Sequence, residues 1–308
     1  MRHILVLDAG GTISSAPDAN GALAGRGDAL AEAIQGLAPA LRVQPVYAGL
    51  SEEMSLGQAT AVVEAALAGA EEPDVAGVLV AHGTDTMEET AFLADLHWTS
   101  DKPVVFTGAQ RAPSQAGFDG LQNVSDALRT VQDPAAARRG ALIVFGGLTL
   151  PARGAFKRHT AELQAFGHRL GGRLPERRPP PLPSGPLEPA VELIGFGLGA
   201  RGRLIDLAVA DGVRGVVLEA LGRGNAGPDV IEAVGRACAA GVTVLAASRC
   251  PEGDVSPDYA TGRRLEEAGA IFCHDLGPSQ ARVLLARQLA IHADGAAASR
   301  AVRAWLEA

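Results

Sequence analysis

Short, almost uninterrupted apolar runs alternate along the chain with longer stretches whose apolar positions recur at helical spacing. The runs at 4–7, 43–47, 78–81, 104–107 and 142–145 predict strands, and the stretches at 28–37, 56–68, 86–96 and 121–131 predict helices between them. Strands this uniformly apolar suit a parallel sheet covered by helices on both faces, and the regular alternation makes the fold class α/β. After about Phe166 the pattern breaks. Residues 173–189 hold seven prolines and little that could enter a core, which predicts an extended linker. A second, shorter series follows, with strands at 191–194, 213–218, 242–247 and 270–273 and helices near 200–210, 229–240, 279–291 and 298–307. The expected organisation is a larger N-terminal, mainly parallel α/β domain over 1–177, a proline-rich linker over 178–189 and a smaller C-terminal α/β domain over 190–308.

Composition narrows the function classes. At 308 residues, 47% apolar and 20% charged, the chain has the material for packed cores and is not a disordered one. A net charge of −8 argues against a nucleic-acid partner, which needs a basic face to neutralise phosphates. No apolar run reaches the roughly 18–20 residues of a membrane span. Met1-Arg2-His3 leads straight into the first strand, with no separate apolar region or small-residue cleavage site, so no signal peptide is read and a cytoplasmic location is expected. Cys238, Cys250 and Cys273 are odd in number and widely spaced, which fits small buried hydrophobes better than a disulfide set or a metal clip.

Candidate chemistry lies where ligands bind in such folds, beyond the carboxyl ends of parallel strands. The first exit, Asp8-Ala9-Gly10-Gly11-Thr12-Ile13-Ser14, sets a hydroxyl directly after two glycines. Neither the dinucleotide spacing nor a P-loop lysine is present there. The second exit, Gly49-Leu50-Ser51-Glu52-Glu53-Met54, has Ser51 either as a site residue or as the N-cap of the next helix. The third, His82-Gly83-Thr84-Asp85-Thr86-Met87-Glu88-Glu89-Thr90, contains two overlapping capping-box patterns, so its hydroxyls and carboxylates have a local explanation as well as a chemical one. Lys157 sits in a basic loop after the fifth strand and gains interest only in combination with the others.

Together these segments resemble the bacterial-type L-asparaginases and the related glutaminase-asparaginases. The resemblance continues through Phe106-Thr107-Gly108-Ala109-Gln110-Arg111, Asp119-Gly120-Leu121-Gln122-Asn123 and residues 153–157. It extends to Gly222-Arg223-Gly224-Asn225 and to residues 278–285, covering essentially the whole chain. It implies hydrolysis of the side-chain amide of L-asparagine to L-aspartate and ammonia, with Thr12 as nucleophile and Thr84, Asp85 and Lys157 as a second catalytic group. An alcohol needs a neighbouring base to attack, and a lysine serves as one only when it can shed its proton, which a carboxylate beside it opposes. For the zwitterionic substrate the resemblance implies Asp85 at the ammonium and Ser51, with Glu52 beside it, at the α-carboxylate. Backbone amides near Thr12 and Thr84, with Gly108-Ala109 close by, are the expected oxyanion donors. Asn225 matches a position that reaches a neighbouring subunit's site, implying a homodimer or homotetramer. No metal or organic cofactor is expected.

Two departures stand out. The stretch 14–27, where relatives carry a lid tyrosine, has none, so water, Ser14 or Ser15 would have to assist Thr12. Residues 256–268 lack an acidic residue that bears on substrate preference in many relatives; Glu266 and Glu267 fall off its register. The alternatives are therefore an amidohydrolase for L-glutamine or another small amide, including the ammonia-supplying partner of an amidotransferase, and a non-catalytic amino-acid-binding protein on the same scaffold.

Overall fold

The structure, a computed structural model, describes residues 2–17, 23–25, 29–34, 36–38, 40–171 and 179–308. It divides into two compact units, Met1–His168 with Pro181–Ser184, and Arg169–Pro180 with Gly185–Ala308. Both are α/β, as the apolar periodicity requires.

In the first unit the chain runs β1 (His3–Ala9), β2 (Ser15–Pro17), β3 (Leu23–Gly25), α1 (Ala29–Ala33), β4 (Leu41–Pro45), α2 (Leu56–Glu71), β5 (Val75–His82), α3 (Met87–His97), β6 (Val104–Thr107), α4 (Gly120–Gln132), β7 (Ala141–Phe145), β8 (Leu148–Pro151), β9 (Ala155–Lys157) and β10 (Phe166–His168). Six of these strands form one sheet in the order β4-β1-β5-β6-β7-β8. All its pairings are parallel except β7 with β8. Alternate residues face opposite sides of a strand. Ile4, Val6, Leu79, Ala81, Val105, Leu142 and Val144 therefore share one core with Leu30 and Ile34 and with Val124, Ala127, Leu128 and Val131 of α4. On the other face α2 lies so close that a Cβ on Gly69 would stand 2.2 Å from Leu5 Cδ2.

Strand order is what makes a site possible. From β1 the chain crosses to β4 on one side and afterwards to β5 on the other, so the order reverses about β1. Loops leaving the ends of β1 and β5 diverge there and open a crevice. Ala9 pairs with His82 in that register, which places the Gly10–Thr12 and Gly83–Asp85 turns side by side.

Several local expectations change. The strand predicted at 43–47 ends at Pro45, because the Val46 and Tyr47 amides turn inward to the Asp8 carbonyl. The helix predicted at 28–37 is regular only over Ala29–Ala33, and residues 28 and 35 lie outside the described residues. The antiparallel additions β2–β3, β7–β8 and β9–β10 are short and were not anticipated. Gly146 and Gly147 both have positive φ (56° and 80°), the requirement of a two-residue hairpin between β7 and β8.

The second unit holds β11 (Val191–Gly195), α5 (Arg203–Ala210), β12 (Gly215–Ala220), α6 (Pro228–Ala239), β13 (Thr243–Ser248), α7 (Ala260–Glu267), β14 (Ile271–Phe272), α8 (Pro278–Ile291) and α9 (Gly295–Glu307). Its four strands are all parallel and stand in chain order, β11-β12-β13-β14. Of the proline-rich stretch, residues 172–178 lie outside the described residues. The rest is pinned: Leu182 exchanges hydrogen bonds with Leu96 and His97 in the first unit, and Glu188 N donates to Ala286 O in the second. Among the described residues no helix is long and apolar enough to cross a membrane.

Candidate active site

Thr12 follows β1 across two glycines that only glycine fits well. Gly10 and Gly11 have φ of 72° and 80°, a region costly for residues with a Cβ. A Cβ on Gly11 would stand 2.2 Å from Gly83 Cα and 2.4 Å from Gly83 N. The two turns thus touch backbone to backbone, each one residue ahead of its threonine. Gly11 N donates to Gly49 O at 3.0 Å, tying in the loop after β4. A Cβ on Gly83 would meet Ser51 Cβ and Oγ, both at 2.6 Å, so Ser51 completes the contact.

The local explanations for the polar residues fail. Ser51, 2% exposed, does not cap α2: Ser55 does, in a reciprocal capping box with Gln58. Ser51 Oγ instead accepts from Asp85 N (3.2 Å), and its carbonyl accepts from Thr86 Oγ1 (3.0 Å). Thr86 stands at the N-cap of α3 with no side-chain cap bond, its hydroxyl spent on Ser51. The Asp85 carboxylate faces Lys157 rather than its own helix.

Lys157 ends β9, where it pairs with Phe166 of β10. Its backbone N donates to Glu88 Oε2 in the first turn of α3 (2.5 Å), which fixes where the side chain starts. Nζ donates to Thr84 Oγ1 at 2.7 Å and to Asp85 Oδ1 at 2.5 Å. Thr84 is 6% exposed, whereas the Asp85 side chain is 54% exposed and bounds a cavity of ≈ 420 Å³ together with Lys157, Arg158, His159 and Thr160. Glu52 is exposed beside Ser51 and, with Glu53, helps burial push the Tyr47 phenol above its ordinary value.

Two titratable groups are sunk into the crevice wall. His82 is fully buried and donates Nδ1–H to the Gly83 carbonyl (2.8 Å), while Nε2 has no partner among the described residues. Burial pushes it down to about 4, with the carbonyl bond pulling the other way. Asp8 sits inside the turn that carries Thr12. Its Oδ1 accepts from Gly10 N (3.0 Å) and Ser14 Oγ (2.8 Å), Oδ2 is buried without a partner among the described residues, and burial raises its pKa.

Thr12, Ser51, Glu52, Thr84 and Asp85 thus follow the carboxyl ends of β1, β4 and β5, and Lys157, at the end of β9, reaches Thr84 and Asp85. Asn225 belongs to the second unit, in the turn after β12, where its Oδ1 accepts from Thr261 Oγ1 (2.9 Å). Of the lid stretch, residues 18–22 and 26–27 lie outside the described residues. Ser14 and Ser15 direct their hydroxyls to Asp8 and to the Thr12 carbonyl. The Gly10, Gly11 and Asp85 amides are already taken by Asp8 Oδ1, Gly49 O and Ser51 Oγ. Among the described residues no three His, Cys, Asp or Glu side chains form a group able to hold a metal.

The sequence assigns no catalytic or binding role to Gln110, His159, Asp8 or His82, and Glu88 reads there only as part of a capping box. Gln110 was within reach, because it leaves the end of β6 as Thr12 leaves β1. The contacts of Glu88 and His159 come from the β9–β10 hairpin and its loop, which carry no periodic signal.

Known proteins resemble the chain in both halves. Residues 3–176 match the family described as Asparaginase, N-terminal, and residues 190–301 match the Glutaminase/Asparaginase C-terminal domain. The chain is 34% identical to an L-asparaginase of Bacillus licheniformis, over 71% of this chain and 73% of that protein. It is 37% identical to a probable L-asparaginase of Deinococcus radiodurans, over 68% and 69%. It is also 32% identical to a glutamyl-tRNA(Gln) amidotransferase subunit of Halobacterium salinarum, over 93% and 75%. With both halves matched in order, the chain belongs to the asparaginase/glutaminase family of amidohydrolases.

Proposed function

We propose that the protein hydrolyses the side-chain amide of L-asparagine to L-aspartate and ammonia, with Thr12 as the nucleophile. The observation that carries this reading is the backbone contact between Gly11 and Gly83, which brings two hydroxyl-bearing turns to one crevice. In the proposed reaction Thr12 Oγ1 bonds to the amide carbon while its proton is taken up by base. The tetrahedral intermediate expels ammonia, whose nitrogen takes a proton as its bond to carbon breaks. Water then hydrolyses the acyl-enzyme, restoring Thr12 and releasing aspartate. Lys157 acts as base through the Thr84 hydroxyl, to which it is hydrogen-bonded at 2.7 Å. Asp85, half-exposed beside the cavity, receives the substrate ammonium. Ser51 Oγ, whose lone pair takes the Asp85 amide, turns its own O–H to the α-carboxylate, with Glu52 at its side.

Asn225 is proposed to complete the site of a neighbouring copy, making the working unit a homodimer or homotetramer. A cytoplasmic setting is proposed too, since none of the three cysteines is in a disulfide.

A second reading is favoured by the Halobacterium relative, whose match covers 93% of the chain: release of ammonia from L-glutamine or another small amide. One methylene is worth only about 10–200-fold in a pocket. The test is ammonia release from L-asparagine, L-glutamine and simple amides, read as kcat/KM. Asparagine favoured over glutamine supports the first reading, the reverse order supports the second, and tight asparagine binding without turnover contradicts both.

A further inference from the structure

Resting on the amidohydrolase reading, we propose that Gln110 is a positioning residue for the Thr84–Lys157 pair: its side-chain carbonyl sets the direction of the Thr84 O–H. Gln110 stands in the loop after β6, and its backbone is held firmly. Gln110 N donates to both oxygens of Asp119 at 3.1 Å, and Asp119 also takes Arg111 N (3.0 Å) and Asn123 Nδ2 (2.9 Å). Asn123 Nδ2 in turn reaches Gly108 O, and Asn123 Oδ1 receives Gly146 N, so the loop after β6, the first turn of α4 and the β7–β8 turn are tied to one point.

From that base the side chain bridges two groups. Nε2 lies 3.4 Å from the His159 carbonyl and Oε1 lies 3.3 Å from Thr84 Oγ1. The amide can sit only one way round. A backbone carbonyl accepts and never donates, so Nε2 must face His159 and Oε1 must face Thr84. An amide oxygen likewise only accepts, so the bond to Thr84 is donated by the threonine. A hydroxyl has one proton to give, and here it is given to Gln110. The lone pairs of Thr84 are then left for Lys157 Nζ, which donates to them at 2.7 Å. The result is a chain with a fixed sense, Lys157 to Thr84 to Gln110.

That sense matters for the proposed relay. For Lys157 to act as base it enters the step as the neutral amine, its lone pair taking the Thr84 hydrogen as that hydrogen swings from Gln110 and the Thr84 oxygen takes up the proton leaving the nucleophile. Gln110 gains no proton, since an amide carbonyl is far too weak a base; it holds the hydroxyl in register between turnovers. Its other arm fastens the rim of the cavity, because His159 Nδ1 organises the following turn by accepting from Ala161 N and Glu162 N (3.0 and 2.9 Å).

Two substitutions separate the two arms. Gln110→Glu keeps an acceptor for Thr84 and loses the donor to His159, setting a carboxylate against a carbonyl. Gln110→Met, of similar length, loses both. Ammonia release from L-asparagine is measured for wild type and both variants, with kcat and KM separated. Each protein is assayed at the top of its own pH profile, so that the added charge does not enter the comparison. The expected order is wild type, then Q110E within about threefold in kcat, then Q110M down by about tenfold, the worth of one oriented neutral hydrogen bond, with KM within about threefold of wild type throughout. Thermal midpoints report folding, and Gln110→Ala supplies the same contrast should Q110M melt below the assay temperature. Q110E no better than Q110M, or Q110M with unchanged kcat, overturns the role of Gln110 alone. A wild type that releases no ammonia from any amide overturns the amidohydrolase reading, and this inference with it.

Discussion

The two sheets of this protein are built mainly from parallel strands, buried at their centres, and they differ in strand order. In the first unit the order reverses about β1, so the connections leaving β1 and β5 run to opposite sides, and the turns that begin them, with the loop after β4, carry Thr12, Thr84 and Ser51 around the Gly11–Gly83 contact. In the second the strands follow chain order from β11 to β14, so no neighbouring loops are driven apart. Its strand exits close on themselves: Asn225 turns back on Leu221 and takes the Thr261 hydroxyl, and Arg223 pairs with Asp254 and Asp258. Strand composition builds both cores, whereas topology decides which one can carry chemistry.

The contrast is sharpest at the nucleophile. Thr12→Ala is expected to lower kcat for amide hydrolysis by about 10³-fold or more with little change in thermal midpoint, because the partly exposed hydroxyl adds chemistry rather than packing. A loss under tenfold would move the nucleophile elsewhere.

Glycine substitutions test the crevice against the second unit directly. Gly11 and Gly199 have similar φ, 80° and 75°, but a Cβ on Gly11 would strike the Gly83 backbone while one on Gly199 meets nothing within 4 Å. Both alanine variants bear the left-handed strain of about 1–3 kcal/mol. G11A should lose a further 1–3 kcal/mol or so by overpacking, and its activity with it. Equal melting shifts would break the comparison.

Acid should also act on the first unit through His82. Its unfolded form binds a proton near 6.5, and its folded form only near about 4. Between those values the unfolded chain holds more protons, so stability falls as pH is lowered from 6.5 toward 4, by up to about 3 kcal/mol. Asp8 has the opposite sign: its raised pKa means the folded state protonates first, and that contribution grows as pH falls. Denaturant titrations of wild type and His82→Gln across this range check the sign. A slope unchanged by the substitution excludes His82 as its source.

The smallest contrast lies between two serines four positions apart. Ser55→Ala removes a helix cap and should cost about 1 kcal/mol of stability with kcat/KM intact. Ser51→Ala should lower kcat/KM by about tenfold. Chemical denaturation and steady-state assays on the pair distinguish a cap from a site residue.

Much of this was legible in the sequence, for identifiable reasons. Val78–Ala81 and Val104–Thr107 announce buried strands by their apolar continuity, and the Gly-Gly-Thr and Gly-Thr-Asp turns announce strand exits by their need for glycine and hydroxyl together. Ser51 was ambiguous, because a serine before a helical stretch reads as a cap; the later Ser55 and Gln58 form the real one. Gln110 was legible only as a residue beyond a strand exit, since nothing local distinguishes a glutamine that reaches Thr84, 26 residues earlier in the chain, from one that faces solvent. The hairpins around Lys157 were missed because strands of three residues carry too short a pattern to register.

A crystal structure of the protein with bound L-aspartate probes the meeting of the two threonine turns most directly. The expected result is the side-chain carboxylate between the Thr12 and Thr84 hydroxyls, the ammonium against Asp85 and the α-carboxylate against Ser51. Aspartate bound away from these residues, or held with either threonine beyond hydrogen-bonding reach of that carboxylate, would contradict it.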